Sequence, residues 1–295
     1  MKSHILVTTK HLDICLEKGL FGASASQINY LGNVERDDII FLLETSSGKL
    51  TGPFKIDSSL FYNNKPIWKN PDPFVYKVRF RSNGDVWESD ITSLWSILLN
   101  RKKTNFYTFT TFQRSNNTLF PKEGNLLTDE IKKNGVLISP NLSSNLEKQP
   151  IDLLKNDRRK FSSESRLETF LLLKQREFIN ILSNENLIKK NLNPYVINQI
   201  TIPGYNYNVD IALFFKNDVI IIELKKDAVD YSTIKQVKRY SYYWKLAGNN
   251  VKMVTLGSDI NGEDEEITSL KYTINRENNK LEIENNSGKK YNISL

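Results

Sequence analysis

Cysteine occurs once in the 295 residues, at Cys15, and histidine twice, at His4 and His11. An intramolecular disulfide framework is therefore excluded, and so is a zinc site assembled from cysteine and histidine. Long apolar runs are missing too. The chain opens Met-Lys-Ser-His-Ile-Leu-Val and then turns polar, with neither the apolar core of a secretory signal nor a stretch long enough to cross a bilayer. A cytoplasmic location and no membrane partner are the expectations. No glycine-rich phosphate loop ending in lysine is found, which argues against nucleotide-driven translocation by this chain. Acidic residues are in deficit, 34 against 41 lysines and arginines.

The resulting net charge of +7 is divided unevenly. Residues 1–140 carry a net +4, residues 151–260 a net +5, and residues 261–295 a net −2. Two basic segments before an acidic tail suit a polyanionic partner. A hydrophobic content of 39% with 25% charged residues is that of a folded protein, and the length allows two ordinary domains. Residues 139–162 are rich in Ser, Asn, Pro and Lys and form the best linker candidate. The expected organisation is a first domain over 1–138, a linker over 139–162 and a second domain over 163–295.

In the first domain the pattern predicts a strand at Ile5 to Thr8, a helix from Lys10 to Lys18 stopped by Gly19, and strands at 39–43, 50–56 and 75–80. So many strands in a short span suggest a small barrel. The second domain opens with an amphipathic helix from about Ser163 to Leu182. Two strands follow, at 207–215 and 219–224, joined by a turn at Lys216 to Asp218. A helix over 232–246, a strand over 251–257 and one or two short hairpins from Ile267 onward complete it. The whole reads as an α+β protein whose second domain is an α/β sandwich around a mixed sheet.

The chemistry-bearing residues lie in that second half. Val219-Ile220-Ile221-Ile222 is the most apolar run of the chain, reads as a buried central strand, and ends in Glu223-Leu224-Lys225. Charge at the end of a buried strand is tolerated mainly when it is paired or binds a metal. Twelve residues separate Asp210 from Glu223, so a hairpin would bring the two acids together. Glu223 and Lys225 share one face of their strand while Leu224 points into the core. On the next helix Gln236, Arg239, Tyr240 and Tyr243 fall on one face. The triplet alone also suits a solvated ion pair on an exposed hairpin; the ordered combination is far more specific.

That combination, across residues 163–257, resembles the PD-(D/E)XK nuclease superfamily, in its NucS-like and restriction-endonuclease branches. The resemblance implies that Asp210 and Glu223 ligate Mg²⁺, with Mn²⁺ as a substitute, and that Lys225 touches the attacking water or the scissile phosphate. It implies a role for Gln236 in ordering water or phosphate, and a glutamate on the first helix. Glu164, Glu168 and Glu177 all qualify by type, and Glu168 is favoured by its place in the apolar-periodic part. Carboxylate oxygens on strands suit Mg²⁺ independently of any family.

The first domain resembles the PUA-like superfamily, in its EVE or YTH-like branch. The resemblance is carried by Gly22 to Leu31, Val34 to Phe41, the Gly48-Lys49-Leu50-Thr51-Gly52 hairpin, and Trp68 before Asp72-Pro73-Phe74. It implies a pocket holding a single nucleobase, with Ser24, Ser26 and Asn29 giving hydrogen bonds and Trp68 or Tyr62 the stacking wall. Core packing for Trp68 and turn-capping for the serines are the competing readings. Together the halves lead to the expectation of a modification-dependent, type IV-like restriction endonuclease. It would read a modified base, a cytosine derivative being the first choice, in double-stranded DNA, and act as a homodimer. The alternatives are a mismatch- or structure-specific NucS-like repair endonuclease and a noncatalytic reader of modified nucleic acid.

Overall fold

The computed structural model describes residues 1–69, 71–95, 97, 99, 116–143, 146–153, 159–189, 192–202, 208–215 and 218–294. Tyr207, the turn residues 216 and 217 and parts of the segment 139–162 lie outside them. The chain is a mixed α+β protein that divides into two compact units, Met1–Ile151 and Asp152–Leu295. Among the described residues, no helix is long and apolar enough to cross a membrane.

The first unit runs β1 (Ser3–Thr8), α1 (Leu12–Lys18), β2 (Leu20–Ala23), α2 (Asn29–Gly32), β3 (Ile39–Glu44), β4 (Lys49–Ile56), β5 (Phe61–Tyr62), β6 (Tyr76–Asp90), β7 (Asn116–Leu119), α3 (Pro121–Asn134) and β8 (Val136–Ile138). Helix α1 ends where Gly19 adopts a left-handed conformation, φ 59°, which glycine enters without steric cost. The strands form one sheet in the order β2-β6-β4-β3-β1-β7, with β5 and β8 on β6. The sheet curls into a half-barrel rather than closing. Strand β6 is longer than its alternation suggests and runs on to Asp90. A bulge against β4, with Gly84 at φ 75°, lets one strand pair with β4 along both of its halves.

Helix α3 was not visible in the sequence pattern. It starts at Pro121, where the missing N–H is not needed, and the Glu123 carboxylate accepts from the Phe120 amide at 2.8 Å. It lies so close to β1 that a Cβ on Gly124 would fall 2.2 Å from Ser3 Oγ. Leu127 and Ile131 thereby join Ile5, Phe41, Leu43, Leu50 and Leu119 in the core. Within the segment 139–162, the Ser143 amide donates to Glu17 O (2.9 Å), Arg79 Nη2 to Leu146 O (2.9 Å) and Asn63 Nδ2 to Glu147 O (2.9 Å).

The second unit comprises α4 (Glu164–Leu173), α5 (Gln175–Asn184), β9 (Tyr195–Thr201), β10 (Asn208–Phe214), β11 (Asp218–Leu224), β12 (Ala228–Val229), α6 (Tyr231–Leu246), β13 (Asn250–Gly257), β14 (Asp259–Ile260), β15 (Ile267–Asn275), β16 (Lys280–Asn285) and β17 (Lys290–Ser294). The single long helix expected over 163–182 is two, broken at Lys174 (φ −107°, ψ 29°). Apolar positions keep one helical period across the break, so periodicity could not reveal it. Seven strands make a mixed sheet, β17-β16-β15-β13-β11-β10-β9. The hairpins expected from Ile267 onward extend this sheet. Strand β11 is central, antiparallel to β10 and parallel to β13, with every residue from Val219 to Leu224 buried. Helix α6 packs on β11 and β13, with Trp244 against Phe214 at 6.4 Å, and α4 also meets β11.

One buried group in the first unit has a direct consequence. His4 is fully buried, with Nε2 3.2 Å from Asp38 Oδ2 and Nδ1 3.1 Å from Thr118 Oγ1. Burial lowers the imidazole pKa below its ordinary 6.5, outweighing the attraction of Asp38, and Lys2 adds to the lowering. The unfolded chain therefore binds this proton more readily than the folded one. Stability is full above about pH 6.5 and falls as the pH drops below it. The urea midpoint of this unit's transition is expected to decline between pH 7 and pH 5. His4→Gln, which keeps a donor and an acceptor, flattens that decline; an equally steep profile in the variant would assign the effect elsewhere.

Candidate active site

Strand pairing delivers the two acids. The β10–β11 ladder runs to Ile211 opposite Ile222, and continuing it one step places Asp210 across from Glu223. There the strands stop exchanging backbone bonds. Asp210 Oδ2 instead accepts from the Leu224 amide at 2.8 Å, so the carboxylate replaces the next rung. Glu223, Ile221 and Val219 share the face that carries α6, whereas Leu224, Ile222 and Ile220 point the other way.

Glu223 is 2% exposed. Its Oε1 accepts from Lys225 Nζ at 2.9 Å and from Gln236 Nε2 at 2.6 Å. Gln236 also donates to Tyr240 Oη at 2.8 Å, one helical turn further along α6. Glu223 Oε2 has no hydrogen-bond partner among the described residues. Burial raises the Glu223 pKa well above the usual range, Asp210 raises it further, and Lys225 only partly offsets this. Asp210 is likewise raised by burial, with Glu164 adding to the effect against the Leu224 amide and Lys225. Burial alone would lower the Lys225 pKa, but Glu223, Glu164 and Asp210 turn the shift upward. Lys225 is therefore a cation at neutral pH. The buried Tyr240 hydroxyl is pushed up to about 12, by burial and then by Glu223, and stays protonated.

The helix acids separate by position. Glu168 is buried and accepts from Asn198 Nδ2 (3.0 Å) and Gln199 Nε2 (2.8 Å). Glu164, one turn earlier and exposed, is close enough for its charge to act on Asp210, Glu223 and Lys225. Glu177 is exposed on α5 and takes no part. The residue that sequence reasoning missed is Gln199. It stands within β9 at φ 53°, a left-handed conformation rare for a side chain of this size, and its amide also reaches Asp210 Oδ1 at 3.1 Å. The ladder partners Val209 with Ile200 and Ile211 with Asn198, passing over Gln199 and Asp210. No local signal marks Gln199, because both its conformation and its contacts come from pairing with β10.

Asp210 and Glu223 offer hard oxygens, one of them unpartnered, under burial that penalises their negative charge. A divalent cation would satisfy that oxygen and remove the penalty, so the donor set fits Mg²⁺. No third His, Cys, Asp or Glu completes a ligand cluster among the described residues; Mg²⁺ commonly uses one or two carboxylates and keeps its waters.

In the first unit, a cavity of about 400 Å³ is lined by Phe21, Gly22, Gln27, His11, Trp68 and Phe74, among others. Trp68 is buried and meets Phe74 edge-on at 5.6 Å. The loop carrying both is pinned by Asp72, whose carboxylate accepts from the Ile67 (3.0 Å) and Phe74 (2.9 Å) amides. Gly22 is required here, since a Cβ would come 2.7 Å from the Trp68 ring. Ser24 and Ser26 pair with each other at 3.0 Å in a turn, and Asn29 is buried on α2; these three do not line the cavity, whereas Gln27 does. Tyr62 lies against Tyr76, away from it.

No family model and no curated protein matches the chain. Solved structures are similar in part, three of them as follows. A repair endonuclease from Pyrococcus abyssi matches at 14% identity over 73% of this chain and 71% of that one, with a TM-score of 0.23. An EndoMS–dsDNA complex matches at 15% identity over 30% of this chain, with a TM-score of 0.23, and the match spans 37% of that chain. The Mmi1 YTH domain in complex with RNA matches at 12% identity over 45% of this chain and 82% of that domain, with a TM-score of 0.35. Identities and scores this low add nothing to the geometry.

A buried carboxylate facing a second, half-buried one destabilises the metal-free fold. Glu223→Gln removes one charge while keeping an acceptor for Lys225 and Gln236, and is expected to stabilise the metal-free chain by roughly 1 kcal/mol or more. Thermal melting in chelator checks this; a lower melting temperature in the variant would contradict the repulsion.

Proposed function

We propose that the second unit is a metal-dependent phosphodiesterase acting on DNA, and that the first unit supplies its specificity by holding one base. The observation that carries the reading is the pairing of Asp210 with Glu223 beside Lys225, with Gln236 fixing one Glu223 oxygen and leaving the other unpartnered. Asp210 and Glu223 would hold Mg²⁺, or Mn²⁺ in its place. When bound, the ion supplies Lewis acidity at a phosphoryl oxygen and makes a water more acidic.

The chain's own groups divide the remaining work. Lys225, held protonated by its carboxylate neighbours, donates to the non-bridging oxygens, which carry the negative charge of the transition state. It is a charge stabiliser, not a base. Gln236 fixes Glu223, and Glu168 acts on Asp210 through Gln199. Tyr240, protonated and buried, backs the Gln236 amide. In the first unit, the Trp68 and Phe74 rings give flat walls at the scale of a nucleobase, with Gln27 and His11 offering polar atoms for the base edge. A base turned out of its stack fits such a site. The finer reading is a modification-dependent restriction endonuclease for a cytosine derivative in double-stranded DNA, working as a homodimer so that each strand meets an active site.

The test is Mg²⁺-dependent cutting of matched unmodified, methylated, hydroxymethylated, glucosylated and mismatched duplexes. Asp210→Asn is expected to lower the rate by about a hundredfold or more, and to abolish the rise in melting temperature that Mg²⁺ gives the parent chain. Cutting confined to one modified duplex supports the restriction reading, and cutting confined to mismatches replaces it with repair. Tight binding without cutting, unchanged in Asp210→Asn, would leave a noncatalytic reader.

A further inference from the structure

Helix α6 presents to solvent a face that packing does not explain. Its sixteen residues contain no carboxylate, but they contain Lys235, Lys238, Arg239 and Lys245. Its inward side is conventional: Ile234, Val237, Tyr240 and Trp244 are buried over β11 and β13. Its outward side exposes Tyr231 (65%), Tyr242 (63%) and Leu246 (70%). At about 100° per residue, Tyr231, Lys235, Tyr242 and Leu246 fall within roughly 60° of one another, with Arg239 close beside them. Aromatic rings interleaved with cations on one stripe keep apolar surface in water at a cost that a partner would remove.

The cations differ in availability. Lys238 is engaged with Asp264 (2.6 Å) and Glu266 (3.8 Å), which holds the segment before β15 against the helix. Lys235 and Lys245 have no ion pair among the described residues. The stripe and the site share one helix: Lys235 precedes Gln236, whose amide donates to Glu223 from about 100° further round α6. Tyr231 and Tyr242 lie eleven residues apart, roughly 16 Å along the axis at about 1.5 Å per residue.

We propose that this face of α6 is a track for an unpaired nucleic-acid strand leading to or from the Asp210–Glu223 site. Lys235 takes its phosphates, and Tyr231 and Tyr242 stack on its bases. The inference rests on the nuclease reading for the direction of the strand, and on α6 itself for the chemistry. The absence of carboxylates fits a polyanion. The two exposed rings favour a single strand over a duplex, because only unpaired bases offer their faces for stacking.

The test measures binding of a short fluorescent oligothymidylate, and of a duplex of the same length, to the full chain in chelator across a salt series. Replacing both tyrosines, Tyr231→Ala with Tyr242→Ala, is expected to weaken single-strand binding about tenfold or more and to leave duplex affinity unchanged. Tyr242→Phe, which keeps the ring, retains binding. Lys235→Ala reduces the salt slope by about one. Oligouridylate held through the same residues supports the track equally and shows that the sugar is not read. Parent-like binding by the double variant overturns the proposal. So does a shift of that variant from dimer to monomer with strand binding intact, which would make the stripe an interface between copies. Cutting is assayed separately: a chain that binds through α6 but never cuts refutes the nuclease reading alone, and one that cuts while its α6 variants bind normally refutes only the track.

Discussion

Two carboxylates with raised pKa values, set opposite each other where a buried strand ends, are the constraint around which the second unit is arranged. Water would relieve their repulsion, and the fold keeps it away from Glu223. Every neighbour acts on that imbalance. Leu224 gives up a backbone rung to Asp210, Lys225 brings the nearest positive charge, and Gln236 fixes one oxygen of Glu223. A chain under selection for stability alone would place a hydrocarbon side chain there.

The support reaches one layer outward through Gln199. An amide has two N–H donors, and here one nitrogen serves Glu168 and Asp210, joining α4 to β10 through a residue of β9. The left-handed backbone at that position belongs to the same arrangement: an ordinary strand conformation would send the side chain to the other face. Rigid positioning of the acids thus depends on a locally unfavourable conformation held by its surroundings.

What could be read in advance followed from local rules. The proximity of Asp210 to Glu223 needed only a hairpin, the shared face of Glu223 and Lys225 only strand alternation, and the approach of Gln236 only a helix following the strand. Gln199 and β9 were invisible for the opposite reason. The segment Tyr-Val-Ile-Asn-Gln-Ile-Thr interrupts its alternation with Asn198 and Gln199, and becomes a strand because β10 lies beside it. The break at Lys174 hid behind an unbroken period, and α3 owes its place to a close approach at Gly124 that composition does not encode. In the first unit Trp68 was legible as an aromatic just before Asp72-Pro73-Phe74. Its neighbours around the cavity were not, since Gln27, His11 and Phe74 meet only after the sheet curls.

The buried Lys77 gives the cavity a character that its lining does not show. Its ammonium lies 5.6 Å from the Trp68 ring, with Asn63 O at 2.5 Å and Asp72 at 4.0 Å, and it does not itself line the cavity. A cation against an indole draws on the negative potential of the π-system, so less is left for a second cation. The wall is thereby biased electronically: electron-rich neutral rings stack well on it, whereas a quaternised or protonated ring, which would otherwise find tryptophan its best partner, is disfavoured.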